Sequence, residues 1–486
     1  MIISNHLTKI RNVEFNGRMW LFAGIFFICY SLIYNWYKGH KGWQYAQLAN
    51  PVTYFIQSSL KTDKTDFLFS MKVEGEFEDM PASKNNIRPA SFKNTSQEAK
   101  IKNVIIFVLE SVPAEYVDVY GGKFSLTPEL NKVIPNSSWF KNVYAHSPAT
   151  NNSMISILGS LYPWISYKSL TKEHPEIKLN TISKLLKQNN YRTAFYSAGD
   201  TKFQRLGEFL SHQQFDKLED FTSAHCKDQQ FIVKGKRWEN PDGADEECMI
   251  NSFNEWIDED LKQPFFTTFW TVQTHYPYFY SGKEKDYKVN NPDLNRYLNA
   301  LHHSDEVFGK LMRTLKSRGL EESTLVVITG DHGEAFGRHK QFTHASKIYE
   351  ENVRVPLIFV NKNLFQGERN DKVSGQIDIA PTIMNLLGYP PDEQWQGQDL
   401  FSDNKNNRTY FFAPWSDFLF GFRENNFKFI YNASKNTTEV YDLEKDPAEA
   451  VNLAGKLSPE YINSGHKRLA QWVQYQDKFI KTAISR

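Results

Sequence analysis

The run Thr324-Leu-Val-Val-Ile-Thr-Gly-Asp-His-Gly-Glu334 constrains the fold most, because a β-branched apolar stretch ends directly in a carboxylate and an imidazole. Such a stretch predicts a buried parallel strand, since both faces of a parallel sheet are covered. A second stretch, Asn103–Leu109, has the same character and ends at Glu110. Open α/β sheets carry their chemistry at the carboxyl ends of their strands, so we expect Glu110, Asp331 and His332 to meet at one edge.

Short apolar strands alternate with amphipathic helices between residues 101 and 400, which predicts an α/β domain whose mostly parallel sheet is sandwiched by helices. The strands of this domain are predicted at 103–109, 191–197, 265–271, 324–329 and 355–360. Beyond residue 400, four short segments separated by Asn-rich turns predict antiparallel strands. These segments are 408–412, 418–424, 427–432 and 439–442. With a closing helix at 458–482, they predict a small C-terminal α+β subdomain at 401–486.

Residues 19–37 form an uncharged apolar segment of about the length needed to cross a hydrocarbon core of ~30 Å. Trp20, Tyr34, Trp36 and Tyr37 lie near its ends, where aromatic residues anchor a helix at the membrane interface. The alternatives are a buried helix or a cleaved signal peptide, but no small-residue cleavage site follows the run. We therefore expect one N-terminal transmembrane helix.

The basic residues around this helix suggest its orientation. Three precede it and two follow it, namely Lys9, Arg11, Arg18, Lys38 and Lys41. This slight excess favours residues 1–18 in the cytoplasm, followed by a connector at 38–100 and a catalytic part on the extracytoplasmic or periplasmic side of the cell membrane. The formal net charge of +1 gives no electrostatic case for nucleic acid as a partner.

Cys226 and Cys248 flank a polar insertion that contains Pro-Asp-Gly. In an exported domain, two cysteines that bracket a polar loop predict a disulfide. The alternative is two ordinary free thiols.

The side chains at the two strand ends predict a site for one divalent metal ion. A mixed set of carboxylate and imidazole ligands suits Zn²⁺ or Mn²⁺ better than Mg²⁺ or Ca²⁺. The alternatives are a solvated loop carboxylate for Glu110 and a structural pair for Asp331 and His332.

A nucleophile for this metal site is expected at Thr150. Apolar residues recur at helical spacing after Thr150, so it should lie at a helix N-terminus, where the helix dipole favours an alkoxide or a phosphate. Coordination to a divalent cation would activate its hydroxyl group. The alternative role is that of a plain N-cap. Ser147 and Ser153 are rival nucleophiles.

Together these residues resemble the sulfatase-like branch of the alkaline phosphatase superfamily. Sulfatases open their catalytic helix with Cys-x-Pro-Ser-Arg, and here, counting back from Tyr162-Pro163, Thr150 takes the place of the Cys and Met154 that of the Arg. Formylglycine formation is therefore not expected. A threonine followed by Ser-Leu-Tyr-Pro, with the single leading Glu110, is similar to lipoteichoic acid synthases and to phosphoglycerol and phosphoethanolamine transferases. The resemblance implies the metal set Glu110, Thr150, Asp331 and His332.

The resemblance also implies residues that bind the substrate. His275, in His-Tyr-Pro, is similar to the family histidine that contacts the transferred group, and it could protonate a leaving alcohol. The alternative for His275 is a structural loop histidine. His344 and Lys347, with His339 as a further candidate, resemble the segment that supplies a His or Lys to the substrate in sulfatases.

The function implied by the resemblance is that of a metal-dependent phosphotransferase anchored in the membrane. It would move a phospho-alcohol head group from a phospholipid donor to a glycan or lipid acceptor through a Thr150 intermediate. The alternative is a hydrolase of sulfate or phosphate esters, which the C-terminal segment at 441–454 supports by its similarity to a sulfatase element. A third possibility is a catalytically idle surface protein that keeps the fold for binding.

Overall fold

The structure is a computed structural model that describes residues 66–73, 75, 77, 101–223, 225–226, 243–280 and 282–485, together with residue 30. The chain divides into two units, Met1–Leu60 and Lys61–Arg486, and the strands and helices named below belong to the second. Apart from Tyr30, the predicted membrane helix at 19–37 lies outside the described residues. Among the described residues, no helix combines the length and the apolar character needed to cross a membrane.

Strands are numbered in chain order over the described residues. They are β1 (Asn103–Leu109), β2 (Ser137–Tyr144), β3 (Arg192–Ser197), β4 (Lys217–Glu219), β5 (Phe265–Trp270), β6 (Thr324–Gly330), β7 (Ala335–Phe336), β8 (Phe342–Thr343), β9 (Arg354–Val355), β10 (Leu357–Val360), β11 (Glu368–Gly375), β12 (Arg408–Ala413), β13 (Leu419–Glu424), β14 (Phe427–Asn432) and β15 (Thr437–Asp442).

The α-helices are numbered in the same way. They are α1 (Asp66–Ser70), α2 (Pro128–Val133), α3 (Thr150–Gly159), α4 (Leu170–Glu173), α5 (Ile182–Gln188), α6 (Leu206–Ser211), α7 (Glu247–Glu259), α8 (Pro292–Ser317), α9 (Glu350–Val353), α10 (Ile379–Leu386) and α11 (Pro459–Ile484).

The main sheet has nine strands in the order β11–β2–β10–β6–β1–β5–β3–β4, with β9 paired to β2. β1 lies between β5 and β6 and runs parallel to both. β10 is antiparallel to both β2 and β6, so the sheet is mixed although most of its pairings are parallel. The strand predicted at 355–360 is divided into β9 and β10 at Pro356, whose nitrogen has no hydrogen to donate to a ladder.

Helices cover both faces of this sheet. The side chains of β1 therefore alternate between two hydrophobic cores, one on each face. Val104, Ile106 and Val108 pack in a core with apolar residues of α3 and α10, and the alternate residues Ile105 and Phe107 pack in a core with α7 and α8. All five of these side chains are fully buried. This two-sided burial explains the unbroken apolar sequence of the strand.

A second, four-stranded antiparallel sheet is formed by β12 to β15, as the sequence predicts. The long helix α11 packs on it through Trp472, which is fully buried and stacks on Tyr410 at 5.2 Å between ring centroids. Part of the predicted connector completes this core. Leu68 of α1 is fully buried, and Gln474 Nε2 donates hydrogen bonds to the carbonyl oxygens of Leu68 at 2.8 Å and Met71 at 2.9 Å.

Cys226 and Cys248 form a disulfide, which confirms the predicted bridge. Cys248 lies in the first turn of α7, and both cysteine side chains are buried. The bridge therefore links α7 to the segment that comes directly before the polar insertion.

Loss of this disulfide should lower the free energy of unfolding by about 3 kcal/mol, because the cross-link restricts the unfolded chain. Urea unfolding of the oxidised and the reduced protein measures the difference. The double variant Cys226→Ala/Cys248→Ala should unfold like the reduced protein, apart from the small loss of packing at the two sites. Equal free energies of unfolding for the oxidised and reduced forms would contradict the prediction.

Candidate metal centre and nucleophile

Strand register brings two carboxylates together at the carboxyl edge of the main sheet. Leu109 of β1 pairs with Gly330 of β6, so the next residues, Glu110 and Asp331, lie side by side. The amide N–H of Asp331 donates to the carbonyl oxygen of Leu109 at 3.1 Å. Glu110, Asp331 and His332 are all fully buried. The expected meeting of these three side chains at one edge is therefore found.

Atoms of four side chains converge on one point at this edge. Asp331 Oδ2 lies 3.5 Å from His332 Nε2, and Glu110 Oε1 lies 3.7 Å from the same nitrogen. Thr150 Oγ1 lies 3.4 Å from His332 Nε2 and donates a hydrogen bond to Glu110 Oε2 at 3.1 Å. The ligand atoms of Glu110, Asp331 and His332 all lie within 4.8 Å of one another.

Hydrogen bonds orient these side chains and leave one buried oxygen without a partner. Asp331 Oδ1 accepts from the backbone N–H groups of Ser111 at 2.8 Å and His332 at 2.6 Å, whereas Asp331 Oδ2 is buried and accepts no hydrogen bond. His332 Nδ1 lies 3.1 Å from the carbonyl oxygen of Gly333 and donates to it, so its Nε2 carries the lone pair. Such an unpartnered oxygen beside an imidazole lone pair is the arrangement that a cation needs.

The charges of the cluster also favour a bound cation. Burial beside the Glu110 carboxylate raises the pKa of Asp331 well above its usual range. Burial, and then the nearby His344, lower the pKa of His332 to about 3, so its imidazole is neutral. Two buried carboxylates without a counter-charge repel each other, and a divalent cation would remove that repulsion. Glu110, Asp331, His332 and Thr150 therefore fit one divalent ion, with the mixed oxygen and nitrogen set that Zn²⁺ or Mn²⁺ accepts.

Two residues that the sequence analysis missed hold Glu110 in place. Ser111 Oγ donates to Glu110 Oε1 at 2.7 Å, and Trp270 Nε1 donates to Glu110 Oε2 at 2.8 Å. Trp270 ends β5 and pairs with Val108 of β1, so it reaches Glu110 across the sheet. Only knowledge of the strand order could have revealed this contact, because the two residues are far apart in sequence.

Thr150 is the first residue of α3, as predicted, but it does not act as the N-cap. Ala149 takes the N-cap position, and the Thr150 hydroxyl instead points at Glu110. Ser153 Oγ donates to the carbonyl oxygen of Asp331 at 2.6 Å, and Ser147 Oγ accepts from Asn152 Nδ2 at 3.1 Å. Both rival hydroxyls thus have structural partners, and of these three candidates Thr150 is the one whose hydroxyl lies at the cluster.

Two of the predicted substrate-binding histidines lie beside the cluster. The ring centroid of His344 is 4.4 Å from that of His332 and 5.3 Å from that of His275. His275 is exposed, and its Nδ1 lies 2.8 Å from the carbonyl oxygen of Tyr276. Burial alone would lower the pKa of His344, but the carboxylate of Glu334 raises it above its usual value.

The other two candidates have partners of their own. Lys347 Nζ lies 3.3 Å from Asp417 Oδ2, so its role toward a substrate stays a prediction. His339 Nδ1 lies 2.6 Å from Glu351 Oε1, and its ring stacks on Tyr349 at 3.8 Å. The structure therefore places His339 in a separate polar cluster rather than at the metal centre.

Two further groups of the described residues could in principle surround a cation, namely Asp245, Glu247 and His303, and His339, Glu351 and Glu449. In both groups the histidine is already bonded to a carboxylate, at 2.9 Å in the first and 2.6 Å in the second. Both groups are thus explained by internal ion pairs, unlike the cluster at Glu110.

Solved structures share this architecture. A protein of the alkaline phosphatase superfamily from Vibrio parahaemolyticus is similar with a TM-score of 0.64 and 20% identity, over 87% of this chain and 96% of that one. The lipoteichoic acid synthase LtaP from Listeria monocytogenes is similar with a TM-score of 0.58 and 20% identity, over 87% of this chain and 98% of that one. The fold is therefore the α/β fold of the alkaline phosphatase superfamily.

Residues 102–389 match the model of the sulfatase family, and residues 337–475 match the model of the C-terminal part of N-sulphoglucosamine sulphohydrolase. Because the first match covers more than half of the chain, the chain belongs to the sulfatase family. The members of this family are enzymes, and members of the superfamily use a divalent metal ion.

Curated relatives include both lipoteichoic acid synthases and sulfatases by name. Lipoteichoic acid synthase 2 of Bacillus subtilis is 26% identical in an alignment that covers 63% of this chain and 48% of that protein. Arylsulfatase K of Xenopus laevis is 23% identical in an alignment that covers 74% of this chain and 81% of that protein. The chain spans about half the length of the lipoteichoic acid synthase that it matches.

Proposed function

We propose that the protein transfers a phospho-alcohol head group, of phosphoglycerol or phosphoethanolamine type, from a phospholipid to a glycan or lipid acceptor. The observation that carries this proposal is the position of Thr150, whose hydroxyl lies 3.1 Å from Glu110 Oε2 and 3.4 Å from His332 Nε2. A threonine at this position supports direct attack by a hydroxyl group rather than formylglycine chemistry. The similarity to lipoteichoic acid synthase supports a phospholipid donor.

The proposed reaction has two steps. Thr150 Oγ1 passes its proton to Glu110 Oε2, its hydrogen-bond acceptor, and forms a bond to the donor phosphorus while the bond from phosphorus to the lipid alcohol breaks. The leaving alkoxide takes a proton, and we assign His275 as the donor of that proton. The acceptor hydroxyl then returns a proton to His275 and bonds to phosphorus, and the bond from phosphorus to Thr150 Oγ1 breaks. Glu110 returns the proton to the departing Thr150 oxygen, which restores the free hydroxyl of Thr150.

The site residues would also supply the environment that this chemistry needs. A divalent ion held by Glu110, Asp331, His332 and Thr150 would act as a Lewis acid that stabilises the threonine oxygen as an anion. Thr150 lies in the first turn of α3, where the helix dipole adds to that stabilisation. The predicted helix at 19–37 would hold the site on the extracytoplasmic side, near a lipid donor.

Hydrolysis of sulfate or phosphate esters is the second candidate function. The match of residues 337–475 to a sulphohydrolase C-terminal model and the similarity to arylsulfatase K favour it. Water would then take the place of the acceptor alcohol in the second step.

Incubation of the full-length protein with three probes tests these functions. The probes are vesicles of phosphatidylglycerol and phosphatidylethanolamine, p-nitrophenyl phosphate and p-nitrophenyl sulfate, each with Zn²⁺ or Mn²⁺. We expect release of diacylglycerol from the vesicles and only slow release of p-nitrophenol. Rapid hydrolysis of either nitrophenyl ester without turnover of phospholipid would contradict the transferase and support the hydrolase.

Replacement of His275 by alanine should lower turnover by about 10²-fold, because a general acid contributes on that order. The metal content should stay the same, since His275 lies on the substrate side of the cluster. Turnover of phospholipid and metal analysis by mass spectrometry measure the two quantities. His212→Ala, which changes an exposed histidine just after α6, is the matched control. Loss of the metal ion in His275→Ala would contradict the assignment.

A further inference from the structure

We propose that Glu334 is a positioning residue that fixes His344 and ties it to the loop that carries His275. Both histidines face the group to be transferred in the proposed function, and the proposal rests on that function. Glu334 would thus join the two parts of the chain that hold the substrate.

Glu334 is a buried carboxylate with two hydrogen-bonded partners. Its side chain is fully buried, two residues beyond His332. Glu334 Oε2 accepts from His344 Nδ1 at 2.6 Å, and Glu334 Oε1 accepts from the Tyr278 hydroxyl at 2.7 Å. A buried carboxylate is stable only with such partners, and bonds to a charged acceptor are the short and strong ones.

The bond to Glu334 determines which nitrogen of His344 is left for a ligand. Because Nδ1 carries the hydrogen that Glu334 accepts, Nε2 is the nitrogen that remains to contact the substrate. The centroid of this ring is 4.4 Å from that of His332 and 5.3 Å from that of His275. Without the carboxylate, the ring could rotate and present the other nitrogen.

The bond to Tyr278 extends this control to the loop of His275. The backbone N–H of Tyr278 donates to the carbonyl oxygen of His275 at 2.7 Å, which closes the turn between them. Tyr278 is itself buried, and its ring packs against Tyr297 and Phe336. Glu334 therefore fixes the ring of His344 directly and, through Tyr278, the turn that carries His275.

Glu334 does not belong to the metal set. Its two oxygens are taken by His344 and Tyr278, and the cluster of possible ligands at this edge comprises Glu110, Asp331 and His332. A change at Glu334 should therefore affect how the substrate is held, and leave the ion in place.

A double-mutant cycle tests this inference in the full-length protein. Glu334→Gln keeps the shape of the side chain, and we expect it to lower kcat/KM for the phospholipid vesicles by about 10²-fold. His344→Ala should have an effect of similar size. Because Glu334 acts partly through His344 and partly through the loop of His275, the double variant should lose less activity than the product of the two single losses. Losses that multiply in the double variant would overturn the proposal.

Two further readouts separate positioning from a general structural role. The metal content of Glu334→Gln should equal that of the wild type, and loss of the ion would overturn the proposal. In protein with ¹⁵N-labelled histidine, the Nδ1–H signal of His344 should be present in the wild type and shifted or lost in Glu334→Gln. An unchanged signal would also overturn it. Asp305→Asn, a buried carboxylate that binds two backbone N–H groups of α2, is the control for stability.

A parallel cycle guards against a variant that fails to fold. Tyr278→Phe keeps the packed ring and removes only the hydroxyl, and with His275→Ala it should show the same lack of additivity. If the wild type hydrolyses p-nitrophenyl sulfate and leaves phospholipid untouched, the proposed function fails, and both cycles are then measured on that ester. If the losses in kcat/KM on that ester multiply in the double variants, the role proposed for Glu334 is rejected, independently of the proposed function.

Discussion

Replacing Thr150 by alanine is expected to reduce turnover by at least about 10³-fold while the protein stays folded. Its hydroxyl donates to Glu110 Oε2 and lies near His332 Nε2, so removing it removes the oxygen that we propose as the nucleophile. The fold should survive, because Ala149 and not Thr150 takes the N-cap position of α3.

Turnover of phospholipid, melting temperature and intact mass measure the effect. Thr150→Ser should keep part of the activity, since it retains a hydroxyl at the same position. Thr181→Ala, which removes a buried threonine at the N-cap position of α5, is the matched control and should leave turnover unchanged. Wild-type protein quenched during turnover should carry the added phospho-group on the peptide that contains Thr150. An added mass on Ser147 or Ser153 would show that the nucleophile is misassigned.

The second large effect is expected for Asp331→Asn, which should abolish metal binding and lower turnover by about 10³-fold or more. Asp331 Oδ2 is the buried oxygen without a hydrogen-bond partner, and the amide removes its charge. In the metal-free protein the same change should be stabilising by about 1 kcal/mol, because folding then no longer has to protonate a carboxyl group that is buried beside Glu110. The variant should thus be less active than the wild type and more stable in a chelator.

Metal analysis and thermal unfolding with and without a chelator test both parts of this expectation. The wild type should lose stability when its ion is removed, because an ion that binds only the folded state stabilises it. Asp331→Asn should be insensitive to the chelator. Asp305→Asn, at a buried carboxylate of another cluster, should keep the metal ion. A full complement of metal in Asp331→Asn would remove Asp331 from the ligand set.

The elements that could be predicted are those whose sequence pattern follows from burial. β1 and β6 are buried on both faces along their whole length, and their unbroken apolar runs predicted their bounds to within one residue. The four C-terminal strands were found because short alternating segments are separated by turns. The membrane helix at 19–37 and the division at residue 400 stay predictions.

Strands at the edge of the sheet could not be found in this way. The first five residues of β11 are polar or charged and lie partly in solvent, so its sequence lacks any alternation that marks a strand. β2 also contains polar residues and was missed. The direction of β10, antiparallel to its neighbours, depends on chain connections that periodicity does not report.

In the candidate site, too, some residues could be predicted from the sequence and others required the structure. Glu110, Asp331 and His332 follow predicted strands, so their meeting could be predicted from strand ends alone. Trp270 and Ser111 bind Glu110 across or beside the sheet, and no local pattern marks them. Glu334 stood in the opening motif, but its partners come from two distant loops, so its role required the structure.

The contact between α1 and α11 determines when the C-terminal core can be completed. Gln474 bonds to carbonyl oxygens at Leu68 and Met71, across more than four hundred residues of chain. Leu68 is synthesised long before α11, so its side chain stays exposed until the last helix has been made and packs against it. Closing so long a loop costs entropy before any contact is made, so this junction should be among the last to form. Any shortened protein that begins at residue 101 would leave that apolar surface on α11 open to water.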